Sequence, residues 1–130
     1  MRHWGITLAA GTLAFAAGRV TGGGTQDGRR WMQYDGREWT KFLPREKQAY
    51  VAGFLAGGAV ADAQTAGATD SAAVHQAVDS LVRAGRLRFP FGHMVYVTQL
   101  NEFYWWENHL PVPLYVALRD IDGRLKGHEQ

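Results

Sequence analysis

Four sets of side chains in this 130-residue sequence have chemistry to offer: histidines, carboxylates, a run of aromatics and a run of arginines. His75, His93 and His109 would suit a metal if they were paired at helical spacing. None has a second histidine at i+4, and no His-Glu-x-x-His sequence is present. Glu107 and His109 are too close in sequence to be a specific signal, so neither a metal nor another cofactor is expected. Glu102 and Glu107 are a carboxylate pair in name only, because a five-residue offset turns them apart on a helix of about 3.6 residues per turn. Ser71 and Ser80 lack a nucleophile elbow. The chain has no cysteine, which excludes thiolate catalysis, disulfides and cysteine-based metal centres. The expectation is a protein that is not an enzyme.

The aromatics are more informative. Tyr104, Trp105 and Trp106 are consecutive, and on a helix successive residues rotate by about 100°. They cannot all face one core, so one or two must reach the surface. There an indole suits a protein interface, a sugar platform or the membrane headgroup zone. The plainer alternative is that Trp31, Trp39 and the amino-terminal segment cover them. Arg83, Arg86 and Arg88 beside Phe89 and Phe91 form a second contact candidate, although cations at a helix end also complement its dipole. The expected partner-binding set is Tyr104, Trp105, Trp106, Arg86, Arg88 and Phe91. Fourteen Lys and Arg against twelve Asp and Glu give a charge of +2, too little for a dedicated nucleic-acid binder.

Where these residues act depends on the amino terminus. Arg2 and His3 precede a chargeless run over residues 4–18, closed by Arg19, which reads as an export signal. As a helix it would span about 22 Å, short of the roughly 30 Å of bilayer hydrocarbon. Ala14 and Ala16 offer a cleavage pattern. If the segment is retained it becomes an anchor, with Trp4, Ile6, Leu8, Leu13 and Phe15 as membrane contacts. Either outcome sends the rest of the chain across the membrane. Residues 1–20 are therefore read as signal peptide or anchor. Residues 21–30, with Gly22, Gly23, Gly24 and Gly28, form a linker.

Residues 31–127 are expected to form a small all-α bundle-like domain of about four helices, followed by a frayed tail at 128–130. Trp31 to Phe42, with a turn at Asp35–Gly36, suggests a short hairpin or an irregular cover. Pro44 starts a helix running to about Gln64. One side of it carries Ala49, Gly53, Gly57 and Ala61, a small-residue stripe expected to pack tightly on another helix of the same domain. Self-association is the other use of that face. Asp70 or Ser71 caps a second helix, whose stripe of Val74, Ala77, Val78, Leu81 and Val82 is the clearest amphipathic pattern, and Gly85 closes it. Met94, Val97, Leu100 and Phe103 or Tyr104 predict a third helix ending near Asn108. Leu114, Leu118, Ile121 and Leu125 predict a fourth, from Pro113 to Gly127.

Three local patterns resemble a group of small exported bacterial proteins of unassigned function: Trp39 with Lys47, Tyr50, Val51, Gly53 and Gly57; Tyr96, Gln99, Leu100, Phe103, Tyr104 and Asn108; and Val112, Pro113, Ala117, Leu118, Leu125 and Gly127. The layout is also loosely similar to the helical immunity domain that antagonises type VI secreted amidases. That group typically carries cysteines, so only the helical fold is taken from the resemblance. The expected function is that of an exported or membrane-tethered accessory module. It would dock on an envelope or membrane protein through Trp105, Trp106 and their neighbours. The alternative is a soluble periplasmic enzyme or carrier acting on a cell-wall sugar or peptide.

Overall fold

The computed structural model describes residues 30–128. The leader with Trp4, Ile6, Leu8, Leu13 and Phe15, its cleavage pattern and most of the linker lie outside the described residues. Among those residues no helix is long and apolar enough to cross a membrane.

The fold is all-α and bundle-like. A 3-10 turn, Arg30–Gln33, leads into the four-residue helix α1, Gly36–Trp39. Then come α2, Pro44–Thr65, α3, Ser71–Arg83, and α4, His93–Phe103. A second 3-10 turn, Glu107–His109, precedes α5, Leu114–Gly127. The segment expected as a hairpin or irregular cover is thus a turn and a short helix. Its only ladder pairing among the described residues is an isolated bridge between Asp35 and Pro113.

Local chemistry sets the element boundaries. At α1, Asp35 accepts from the Arg37 N–H at 2.8 Å while Glu38 accepts from the Asp35 N–H at 3.1 Å, two helix-start donors satisfied reciprocally. Pro44 occupies the first turn of α2, and Glu46 accepts from the Leu43 N–H at 2.7 Å. Asp70 caps α3 by accepting from the Ala73 N–H at 2.8 Å. Helices α2 and α3 both end with a left-handed glycine, Gly67 (φ 97°) and Gly85 (φ 62°). In each case the following N–H reaches back to the last turn: Ala68 to the Ala63 carbonyl at 3.1 Å, and Arg86 to the Leu81 carbonyl at 2.9 Å.

The core lies where α1, α4 and α5 meet the first half of α2. It comprises Trp39, Val51, Tyr96, Val97, Leu100, Tyr104, Leu114, Ala117, Leu118 and Ile121. Phe42 sits at its edge, against Tyr34 (5.7 Å between ring centroids), Trp39 (6.2 Å) and Tyr50 (6.1 Å). Polar order inside is supplied by Asp122, which accepts from the Tyr96 hydroxyl at 2.8 Å and from the Lys126 ammonium at 2.6 Å. Burial and the neighbouring Asp122 carboxylate push the Tyr96 hydroxyl far above its ordinary range, so it stays a neutral donor.

One packing expectation is corrected, and another helix is less covered than its apolar stripe suggests. Helix α3, for all its amphipathic pattern, packs on α2 without burying any residue fully, and Val82 is 55% exposed. Periodicity identifies an apolar face but not whether another layer covers it. The small-residue stripe also lacks its expected partner. A Cβ at Gly53 or Gly57 would meet nothing within 4 Å, Ala49 is exposed and Ala61 only half-buried. The close approach to α2 occurs one residue on, at Gly58, where the Phe89 ring lies 3.1 Å from a would-be Cβ. Phe89, its ring tilted 5.1 Å from that of Phe54, packs on Gly58 and leaves the Gly53–Gly57 face open.

Candidate functional site

Helix α4 does not run on to Asn108. It stops at Phe103, so Tyr104, Trp105 and Trp106 stand in a turn and not on a helix. Tyr104 is the C-cap, the Trp105 N–H reaches only as far back as the Glu102 carbonyl (3.3 Å), and Trp106 is extended (ψ 124°). The cause is what holds Tyr104. Its ring lies directly over Gly36, and its hydroxyl donates to the Val112 carbonyl at 2.7 Å. Burial, then the nearby Asp35 and Tyr50, keep that hydroxyl protonated far above its ordinary range. An aromatic triplet with modest helix propensity gives little resistance to this pull.

The far side of the turn is fixed as well. His109 Nδ1 lies 2.7 Å from the Phe103 carbonyl, and the imidazole stacks on the Phe103 ring at 4.4 Å and 20°. A carbonyl oxygen only accepts, so Nδ1 carries a proton and donates to it. Gly36 donates to the Leu110 carbonyl at 2.9 Å, and Leu114 to the Tyr34 carbonyl at 2.8 Å, which ties the whole 104–113 segment to the start of the domain. The turn is therefore clamped from both ends while its two indoles project. Trp105 is 80% exposed and Trp106 61% exposed. Trp39 does not cover them, because it is buried in the core itself.

Between the indoles and α4 runs an open groove of about 410 Å³, lined by Thr98, Asn101, Glu102, Trp105 and Trp106. Thr98 and Asn101 lie one or two helical turns before the tryptophans, and that spacing was a usable signal the sequence reading did not take up. Hydrogen bonds tie the groove floor to the core. The Asn101 carboxamide oxygen accepts from the Trp39 indole N–H at 3.0 Å and from the Lys47 ammonium at 2.9 Å. Lys47 also sits 5.0 Å from the Trp39 ring centroid, and partial burial lowers its pKa from the ordinary value.

The remaining expected contact residues do not join this surface as a set. Arg88 is committed internally: its backbone N–H and guanidinium both bind Asp62, the former at 2.8 Å, while its carbonyl accepts from Lys126. Burial works against the Asp62 carboxylate, but Arg88 and Lys126 together hold its pKa below the ordinary value. Phe91 is half-buried against Tyr96 at 6.1 Å and serves the core edge. Arg86 is exposed just after the α3 glycine cap.

No protein-family model matches this sequence, and no similar protein was found among curated proteins or solved structures. The fold and the turn therefore have to be interpreted from their own chemistry. Among the described residues no group of three or more His, Cys, Asp or Glu side chains is placed to hold a metal ion. His75 is paired loosely with Asp79 at 3.6 Å on the surface of α3.

Proposed function

We propose that the protein is an exported or membrane-tethered accessory module that docks on an envelope or membrane protein through the Trp105–Trp106 turn. The observation that carries this reading is the combination of high exposure at both indoles with a backbone clamped on either side. A backbone already fixed loses little conformational freedom on association, and tryptophans are among the commonest interface anchors. Removing the exposed area of either indole from water is worth about 2–4 kcal/mol before association costs. Glu102 in the groove wall and the exposed Glu107 next to Trp106 favour a protein cleft with a cationic rim over an anionic bilayer surface. The chargeless run over residues 4–18 behind Arg2 supports export.

The test is capture from solubilised envelope fractions with the full chain and with Trp105→Ala and Trp106→Ala proteins of native circular dichroism. An envelope protein retained by the native chain and lost by both variants supports docking. Capture unchanged by either variant removes it. Binding of cell-wall saccharide in place of protein transfers the surface to the carbohydrate reading.

A further inference from the structure

Beside the docking groove, and sharing Glu102 and Trp106 with it, lies a smaller depression of about 210 Å³. Three elements build it: α4 with Gln99, Glu102 and Phe103, the 3-10 turn with Trp106 and His109, and α5 with Arg124. We propose that this pocket binds a free α-amino acid with an apolar side chain. Charge carries the argument. Arg124 and Glu102 line the same small space, yet neither has an ion-pair partner within 4.0 Å among the described residues. A simple anion drawn to Arg124 would meet the Glu102 carboxylate, and a simple cation drawn to Glu102 would meet the guanidinium. A ligand carrying both charges on groups attached to one carbon pairs with each, its carboxylate on Arg124 and its ammonium on Glu102.

The surrounding groups fit the same ligand. Gln99 donates to a Glu102 oxygen at 3.3 Å and steadies the carboxylate. His109, with Nδ1 engaged by the Phe103 carbonyl, has Nε2 as its remaining acceptor, which suits an ammonium. Phe103 and Trp106 supply aromatic wall for an apolar side chain. The volume equals about seven waters of bulk liquid, which suits a ligand smaller than those taken by the usual pockets of roughly 300–1,000 Å³. This inference does not rest on the docking reading, since it uses neither Trp105 nor a protein partner.

Isothermal titration of the full chain with leucine, isocaproate (leucine without its amine) and isoamylamine (leucine without its carboxylate) tests it. Saturable leucine binding is expected, weaker by about tenfold or more for each truncated ligand, because each forfeits one charged hydrogen-bonding group. Arg124→Gln and Glu102→Gln are each expected to weaken leucine by a similar factor, while Arg45→Gln, far along the chain on α2, leaves it unchanged. The Trp106 indole N–H resonance should shift on saturation. No binding of leucine, valine, methionine or phenylalanine up to about 10 mM overturns the proposal. So does isocaproate binding as tightly as leucine, or leucine affinity unaffected in both pocket variants.

Discussion

The contact between Gly36 and Tyr104 decides where α4 ends, and Gly36→Ala probes it directly. A Cβ at this position would lie 2.4 Å from Tyr104 Cδ1, 2.8 Å from Tyr104 Cε1 and 2.9 Å from the Leu110 Cα. None of the three can retreat freely. The Tyr104 ring is tethered by its 2.7 Å bond to the Val112 carbonyl and packed edge-on against Phe103 at 5.0 Å. The Leu110 atom is backbone, drawn in by the 2.9 Å bond from Gly36 itself. Overpacking a tight site costs about 1–3 kcal/mol, and more where the neighbours are fixed. The gain in helix propensity from Gly to Ala is at most about 1 kcal/mol. With all three neighbours fixed the upper end of that cost applies, so the expected net loss is about 2 kcal/mol, read as a lower midpoint in urea with an unchanged slope. Gly53→Ala is the matched control. Its Cβ meets nothing within 4 Å in the interior of α2, so it should stabilise by about 0.5–1 kcal/mol. A Gly36→Ala protein as stable as the native one, or a Gly53→Ala protein destabilised to a similar degree, would refute the packing described for this turn.

Other perturbations have definite expected outcomes. Tyr96→Phe removes the 2.8 Å hydroxyl donor to buried Asp122 and should cost about 1–3 kcal/mol in chemical denaturation. Tyr96 and Tyr104 both have pKa values raised by burial, so the folded state holds their protons where the unfolded chain releases them. Their contribution is intact below the unfolded value of about 10 and is lost as pH rises past it. Stability measured between neutral and strongly alkaline pH should therefore fall, and a Tyr96→Phe, Tyr104→Phe protein should lose that part of the slope. Trp105→Ala and Trp106→Ala should each change stability by no more than about 0.5 kcal/mol, because indoles this exposed contribute little to the core. A loss of several kcal/mol in either would mean that the turn serves the fold.

The parts of this fold that the sequence made legible are those set by local chemistry. Pro44 and Glu46 start α2, Asp70 and Gly85 bracket α3, and Leu114, Leu118 and Ile121 face the core from α5, each within a residue or two of expectation. The failures all depend on contacts between distant residues. Helix α4 stops early because Tyr104 is held by Gly36 and Val112. Arg88 stays exposed but is engaged by Asp62, 26 residues away. The spacing of Ala49, Gly53, Gly57 and Ala61 showed that they share a face, but Phe89 settles on Gly58 and leaves Gly53 and Gly57 open. At the candidate site, three consecutive aromatics could not share one core, which foretold exposed side chains but neither the turn nor the loss of Tyr104 from the expected contact set. Tyr104 is buried and both tryptophans are exposed, though the backbone is a turn. The pocket lined by both Arg124 and Glu102 had no sequence signal, since nothing local relates the end of α5 to that of α4.

The docking reading is tested most directly by placing a photo-reactive residue at position 106 of the full chain and irradiating intact cells. The account predicts one dominant adduct with an envelope or membrane protein, abolished when Trp105 is also changed to alanine. Adducts confined to cytosolic proteins, or none beyond those within the chain itself, would contradict it.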